Sequence, residues 1–243
     1  MKTTKILLGA LRVSALIALF AMTPAQAQTV NVNFNSDNAT YSGTGAAPDP
    51  GTVWNSVQWA RDGGFPSSGY GQTATGLVNS TGGASLVTVS LYDAGGYNPY
   101  NAASAHHAVF ADPLLSDEFY GGGSTIAISG LTVGGIYDLY LYSQNGNYNS
   151  DNTTFTFGTS KTAVNNAVGD ETFTAGVNYV EFVLTADGSG DITGSYGGAA
   201  AGLDGLQVEA VPAVVPEPVS LATMSLVGMA MLLFCKRLKK QSV

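Results

Sequence analysis

The chain has 243 residues, with nine Lys and Arg against seventeen Asp and Glu, two His and a single Cys. A formal charge of −8 excludes the usual basic nucleic-acid surface, and one thiol excludes a disulfide framework. Seven of the nine cations lie in the two terminal segments, so residues 28–214 hold only Arg61 and Lys161 against sixteen acids, a formal −14 that leaves cations and uncharged polymers as the suitable partners.

In chain order, Lys2, Lys5 and Arg12 precede and punctuate an apolar stretch from Ile6 to Met22, and Ala25-Gln26-Ala27 supplies the small residues that a signal peptidase needs. Residues 1–27 read as a signal peptide cleaved after Ala27, with Ala25 and Ala27 as the recognition pair. A retained N-terminal helix is the alternative, and Pro24 argues against it. Residues 28–214 are then one domain's worth of exported chain.

Within that region Val30, Val32 and Phe34 alternate with Asn31, Asn33 and Asn35, the period of a half-buried strand. Val53 to Trp59 reads as a second strand, with Trp54 and Trp59 expected to plug the core. A Gly- and Ser-rich connection runs on to Gln72. Ser85 to Tyr92 is a strand with Val87, Val89 and Leu91 on one face. Ala102 to Tyr120 is the one region with a helical signal, because Asp112-Pro113 can start a turn carrying Leu114, Leu115, Glu118 and Phe119. Ser124 to Gly130, Ile136 to Tyr142, Thr153 to Phe157, Val177 to Leu184 and Leu206 to Ala210 are further strands separated by Gly- and Asn-rich turns. At least seven short strands and scarcely any helix predict an all-β, antiparallel sandwich or barrel, with the first and last strands paired.

Catalytic patterns are sparse. His106 and His107 are adjacent, so they diverge on either a strand or a helix, and no Gly-x-Ser-x-Gly elbow places a serine. A glycosidase needs only two carboxylates about 5 to 10 Å apart, and Asp117, Glu118, Asp151, Glu181 and Asp187 are the nominees, with Glu181 on the strand face opposite Val180, Phe182 and Leu184. Two loops mix tyrosine rings with amides and acids, Tyr92 to Asn101 and Asn145 to Asn149. Their Tyr97, Tyr100 and Tyr148 are candidate carbohydrate-binding residues, against the reading that they are ordinary loop tyrosines. Asp187 and Asp191, four apart across glycines, form a candidate calcium site, against the reading of a plain Asp-Gly turn.

At the C-terminus, Val215-Pro216-Glu217-Pro218 precedes an uncharged run from Val219 to Cys235, about 26 Å long as a helix, and then the basic tail of Lys236, Arg237, Lys239 and Lys240. Such a run spans a bilayer once, and the cations hold the tail inside. This three-part pattern, carried by Pro216, Glu217, Pro218, Lys236 and Arg237, resembles the PEP-CTERM sorting signal of exported bacterial proteins. The resemblance implies recognition by an exosortase, a membrane-embedded cysteine protease or transpeptidase, near Pro-Glu-Pro in residues 215–243. A plain membrane anchor is the alternative. The middle of the chain resembles the galactose-binding-like jelly rolls found with this tail, through Ile128-Ser129-Gly130-Leu131, Gly135 to Tyr142 and Gly205-Leu206-Gln207-Val208.

Together these features predict a non-catalytic exported protein of the cell surface or extracellular matrix, associated with exopolysaccharide and handled by signal peptidase and an exosortase, with no cofactor beyond a candidate calcium. The alternative is a secreted polysaccharide-active enzyme of glycoside hydrolase type. Intact mass spectrometry of surface-derived protein is expected to find a product that lacks both the segment before Gln28 and the Lys236 to Val243 tail.

Overall fold

The structure is a computed structural model that describes residues 29–35, 41–48, 51–58, 70–93, 98–100, 114, 118–120, 124–143, 152–164, 172–198 and 201–212. The chain divides into two compact units, Met1–Val211 and Pro212–Val243, and of the second only Pro212 is described. The signal segment with Ala25 and Ala27, and the sorting motif with Pro216, Glu217, Pro218, Lys236 and Arg237, lie outside the described residues. Among the described residues no helix is long and apolar enough to cross a membrane.

Fourteen strands are described: β1 (Thr29–Asn35), β2 (Asn55–Gln58), β3 (Tyr70–Ala74), β4 (Thr88–Asp93), β5 (Asn98–Tyr100), β6 (Glu118–Tyr120), β7 (Ser124–Ser129), β8 (Ile136–Tyr142), β9 (Thr153–Phe157), β10 (Thr159–Ala163), β11 (Tyr179–Thr185), β12 (Ile192–Gly197), β13 (Gly202–Leu203) and β14 (Gly205–Ala210). They form a five-stranded sheet in the order β11-β8-β14-β1-β2, a six-stranded sheet in the order β10-β9-β12-β7-β4-β3, and a small third sheet, β13-β6-β5.

The expected pairing of first and last strands is present. β1 runs antiparallel to β14, with Val30 opposite Val208 and Val32 opposite Leu206. Period-two alternation then turns Val30, Val32, Phe34, Leu139, Leu141, Val180, Phe182, Leu206 and Val208 toward the second sheet. That sheet answers with Val89, Leu91, Ile126, Ile128, Phe155, Phe157, Ile192 and Tyr196, and all of these residues are buried in one core. Phe157 and Phe182 meet across the gap with ring centroids 5.2 Å apart.

Three expectations need correction. First, the sandwich is not wholly antiparallel: β1 and β2 are parallel, with Val32 opposite Asn55. The span between them is long enough for the crossover that a parallel pair requires, and the Asn55 side chain fixes the pair. Its Nδ2 donates to the Asn31 and Val78 carbonyls at 2.8 and 2.7 Å, and its Oδ1 accepts from Val78 N–H at 2.8 Å. Second, the helix expected to reach Tyr120 gives way at its end to strand. Glu118 to Tyr120 form β6 between β5 and β13, in keeping with the β preference of Phe119 and Tyr120, while Asp112 and Pro113 lie outside the described residues. Third, three strands start later than expected, at Asn55 rather than Val53, at Thr88 rather than Ser85 and at Tyr179 rather than Val177. The Ser85 hydroxyl accepts Val87 N–H at 3.0 Å, and the Thr174 carbonyl accepts the amides of Val177 and Asn178 at 3.0 and 3.1 Å, so local turn bonds take the place of ladder bonds. The strands β3, β10 and β12 lie in stretches whose Gly, Ser and Thr content reads as connection.

The Phe157–Phe182 contact joins the two layers at the core. Phe182→Ala is expected to cost about 3–5 kcal/mol of stability, measured as a lower urea midpoint at unchanged m-value.

Candidate functional site

The outer face of the five-stranded sheet is unusual, because one part of it is covered and polar. Asn31, Gln207, Tyr140 and Tyr142 all point away from the main core, since they alternate with the inward residues of β1, β14 and β8. Residues 41–48 and 51–54 lie over them. Gln207 Nε2 donates to Asn31 Oδ1 at 2.8 Å, and Gln207 Oε1 accepts from Ala47 N–H at 3.1 Å and from the Tyr142 hydroxyl. Asn31 Nδ2 donates to the Val53 carbonyl at 3.0 Å, and the Tyr142 oxygen accepts Ala46 N–H at 2.5 Å. Gly45 allows this approach, because a Cβ there would lie 2.0 Å from Gln207 Oε1.

Aromatic rings continue the cover. Trp54 is buried, as expected of a core plug, and its Nε1 donates to the Gly43 carbonyl at 2.9 Å. Tyr41 meets Trp54 edge-on at 4.9 Å, Phe173 meets Tyr142 at 5.2 Å, and Tyr179 lies about equally far from Tyr142 and Tyr140, at 6.0 and 6.1 Å. Phe173 is held there by Asn178, whose side chain accepts Thr174 N–H and donates to the Thr172 carbonyl, both at 2.8 Å.

Beyond Tyr140 the same face opens. Glu181 lies opposite Tyr140 on β11, Glu209 lies opposite Asp138 across β14 and β8, and Val183, 65% exposed, lies opposite Asp138 on the other side. Glu181, as expected, is on the face away from Val180 and Phe182. Three half-buried carboxylates thus surround Tyr140. Burial first, then the charges of Glu181, Asp138 and Glu209, push the Tyr140 phenol well above its usual range, and burial followed by Glu181 does the same for Tyr179. Burial also raises Tyr142, against the opposing hydrogen bond from Ala46. The arrangement offers flat rings beside carboxylate acceptors, the chemistry that suits hydroxyl-rich uncharged ligands.

Asp187 and Asp191 are brought together in a turn. Asp187 Oδ1 accepts the Asp191 and Ser189 amides at 2.9 and 2.8 Å, and Asp187 N–H donates to the Asp191 carbonyl at 2.9 Å. The Asp191 amide, then that of Ser189, holds the Asp187 carboxyl below its usual range. Among the described residues no group of three or more His, Cys, Asp or Glu is placed to hold a metal. Tyr97, Tyr148, His106, His107, Asp117, Asp151 and Trp59 lie outside the described residues, and Tyr100 is placed only as the last residue of β5. The strands nevertheless fix where both tyrosine-rich loops begin. β4 ends at Asp93 and β8 at Tyr142, and both ends lie where β7 begins and β12 finishes, with Tyr92 opposite Thr125 and Tyr196 opposite Ser124. Asp138 and Glu209 are not legible as a pair in the sequence. Their outward direction follows from alternation, but the register that opposes them does not.

No protein-family model matches the chain, and no curated protein matches it. The fold defines an all-β protein of two packed sheets. Two solved structures of an exo-β-1,3-galactanase from Phanerochaete chrysosporium align with it. The one with β-1,3-galactotriose gives a TM-score of 0.30 at 19% identity over 58% of this chain and 29% of that one. The one with galactose gives 0.27 at 22% identity over 50% and 32%. The chain spans about a third or less of the length of the solved structures it matches.

Tyr142→Phe removes a donor to Gln207 and an acceptor for Ala46 while keeping the ring. It is expected to cost about 1–3 kcal/mol by chemical denaturation. In the Asp187 turn the lowered carboxyl contributes stability above its unfolded-state pKa, near pH 4, that is lost as the pH falls through its folded value. Asp187→Ala should therefore melt lower than wild type at neutral pH, Asp187→Asn, which keeps the acceptor, should melt between the two, and the gap between wild type and Asp187→Asn should narrow as the pH falls below the ordinary carboxylate range.

Proposed function

We propose that this chain is a non-catalytic exported protein of the cell surface or extracellular matrix, whose β-sandwich associates with neutral carbohydrate. The observation that carries the reading is the open end of the outer face, where the half-buried ring of Tyr179 lies beside the buried Tyr140 and among Asp138, Glu181 and Glu209. Rings take the apolar face of a sugar and carboxylates accept its hydroxyls, while the surplus of acids repels anionic polymers. Export rests on the signal-like segment before Gln28, and delivery by an exosortase-type system rests on Pro216, Glu217, Pro218 and the Lys236-Arg237 cluster that closes the apolar run. The strand path supports the finer jelly-roll description, since β7, β8, β9, β11, β12 and β14 step back and forth between the two sheets.

A second reading, a secreted polysaccharide-active enzyme, draws on Asp138 and Glu209. Residues directly opposite on antiparallel strands have Cβ atoms about 4.5–5.5 Å apart, a spacing compatible with the two carboxylates of a retaining glycosidase.

Calorimetry with neutral oligosaccharides, with and without calcium, tests the first reading. Binding is expected to persist at high salt, and Tyr179→Ala to weaken it by about two- to tenfold. A polysaccharide panel decides between the two. Turnover abolished by Glu209→Gln would establish the enzyme, and absence of any glycan binding by the wild type would leave a purely structural surface protein.

A further inference from the structure

A groove of about 780 Å³ lies at the end of the sandwich where β1 starts and β14 finishes, with Val30, Leu131, Tyr137 and Ala210 among its lining residues. This is the end opposite to the one from which the tyrosine-rich loops depart, since β8 enters here at Ile136 and β4 at Thr88. One wall is the segment from Asn79 to Val87 and the other is the turn between β7 and β8. The size falls within the range of small-molecule sites.

Both walls are held in place without any ligand. Asn79 is buried, and its Oδ1 accepts Thr81 N–H, the Thr81 hydroxyl and Gly83 N–H at 3.1, 2.9 and 2.8 Å, which closes the first wall into a fixed turn. The Tyr137 oxygen accepts Thr132 N–H at 2.8 Å and steadies the second. The walls touch at Gly130, which has φ near +77° and where a Cβ would lie 2.1 Å from the Leu86 carbonyl oxygen, so only glycine fits. Leu86 itself is 86% exposed at the rim, an apolar side chain left in water by an otherwise ordered segment.

The lining is chemically selective. In a domain with a surplus of acids, no Asp, Glu, Lys, Arg or His borders this groove among the described residues. It presents the hydrocarbon of Leu86, Val87 and Leu131 beside the hydroxyls of Thr81, Ser85, Thr132 and Tyr137. An ion would enter without a counter-charge, and a purely apolar ligand would desolvate the hydroxyls without replacing their hydrogen bonds. The geometry points to a second binding site that takes a neutral saccharide unit, separate from the tyrosine and carboxylate face and at the end where the domain's first and last strands emerge.

This site shares a ligand class with the reading above but depends on none of its residues, so the two fail separately. The full-length chain, held in a detergent without a sugar headgroup, is titrated with lactose, cellobiose and maltose while backbone amide signals are followed by NMR. The expected result is saturable shifts at Thr81, Leu86, Gly130 and Thr132 with at least one disaccharide. Leu86→Ala should weaken that binding by about three- to tenfold and Ala84→Phe, which fills the exposed rim, should abolish it. Tyr179→Ala should leave it unchanged. No saturable shift with any of the three sugars, shifts confined to the outer face around Tyr179, or binding indifferent to both groove variants would overturn the proposal.

Discussion

Much of the structure depends on one buried amide. Gln207 lies in the middle of a five-stranded sheet, fully enclosed, and both ends of its side chain are committed: Nε2 to Asn31 on the neighbouring strand, Oε1 to the covering segment and to Tyr142. A primary amide buried without partners would cost more than most apolar contacts return, so the covering stretch around Ala46 and Ala47 must lie where it does. Once it does, Trp54 and Tyr41 have a surface to pack on, and a sheet that could have been wet on one side is dry on both along part of its length. A shift of β14 by one residue would point Gln207 into the apolar core, which makes the amide a lock on register as well as a support for the cover.

The covered and open parts of that face divide labour between rigidity and exposure. Where residues 41–48, 51–54 and the turn at 172–178 reach, Tyr41, Tyr140 and Tyr142 are packed; where they stop, the half-buried Tyr179 and the carboxylates border the surface. The carboxylates of Asp138, Glu181 and Glu209 are half-buried there, and behind burial their charges help to raise the neighbouring phenols. The same sheet therefore holds a covered layer and a more open acidic edge, built from a single alternating sequence in β8: Ile136, Asp138, Tyr140 and Tyr142 outward, Tyr137, Leu139 and Leu141 inward.

That alternation explains what is legible in the sequence alone. Ile136 to Tyr142 and Thr153 to Phe157 carry their own pattern, and their limits are recovered residue for residue; the pairing of the first and last strands is recovered too, without its register. β3, β10 and β12 escape because Gly71, Thr159 to Thr162 and Thr193 to Ser195 lack apolar contrast; they are strands because neighbours with strong patterns recruit them. Candidate residues are harder. Alternation puts Glu181 on the correct face, but its association with Asp138 and Glu209 arises from register across three strands, and the groove is made by the approach of Gly130 to Leu86, segments far apart in the chain. The parallel run of β2 is equally hidden, since its direction is set by the hydrogen bonds of Asn55 and by nothing in its own periodicity.

Thr29 at the start of β1 faces Glu209 near the end of β14, so the first and last strands are antiparallel neighbours whose free ends leave together. Tension applied across those two ends would load their hydrogen bonds one after another, as a zipper is opened, rather than all at once in shear. A domain pulled from both termini would therefore peel from this pair at low force, with the amide of Gln207 opposite Asn31 among the early bonds in the path. Held by a single end, it would transmit no load through the pair at all.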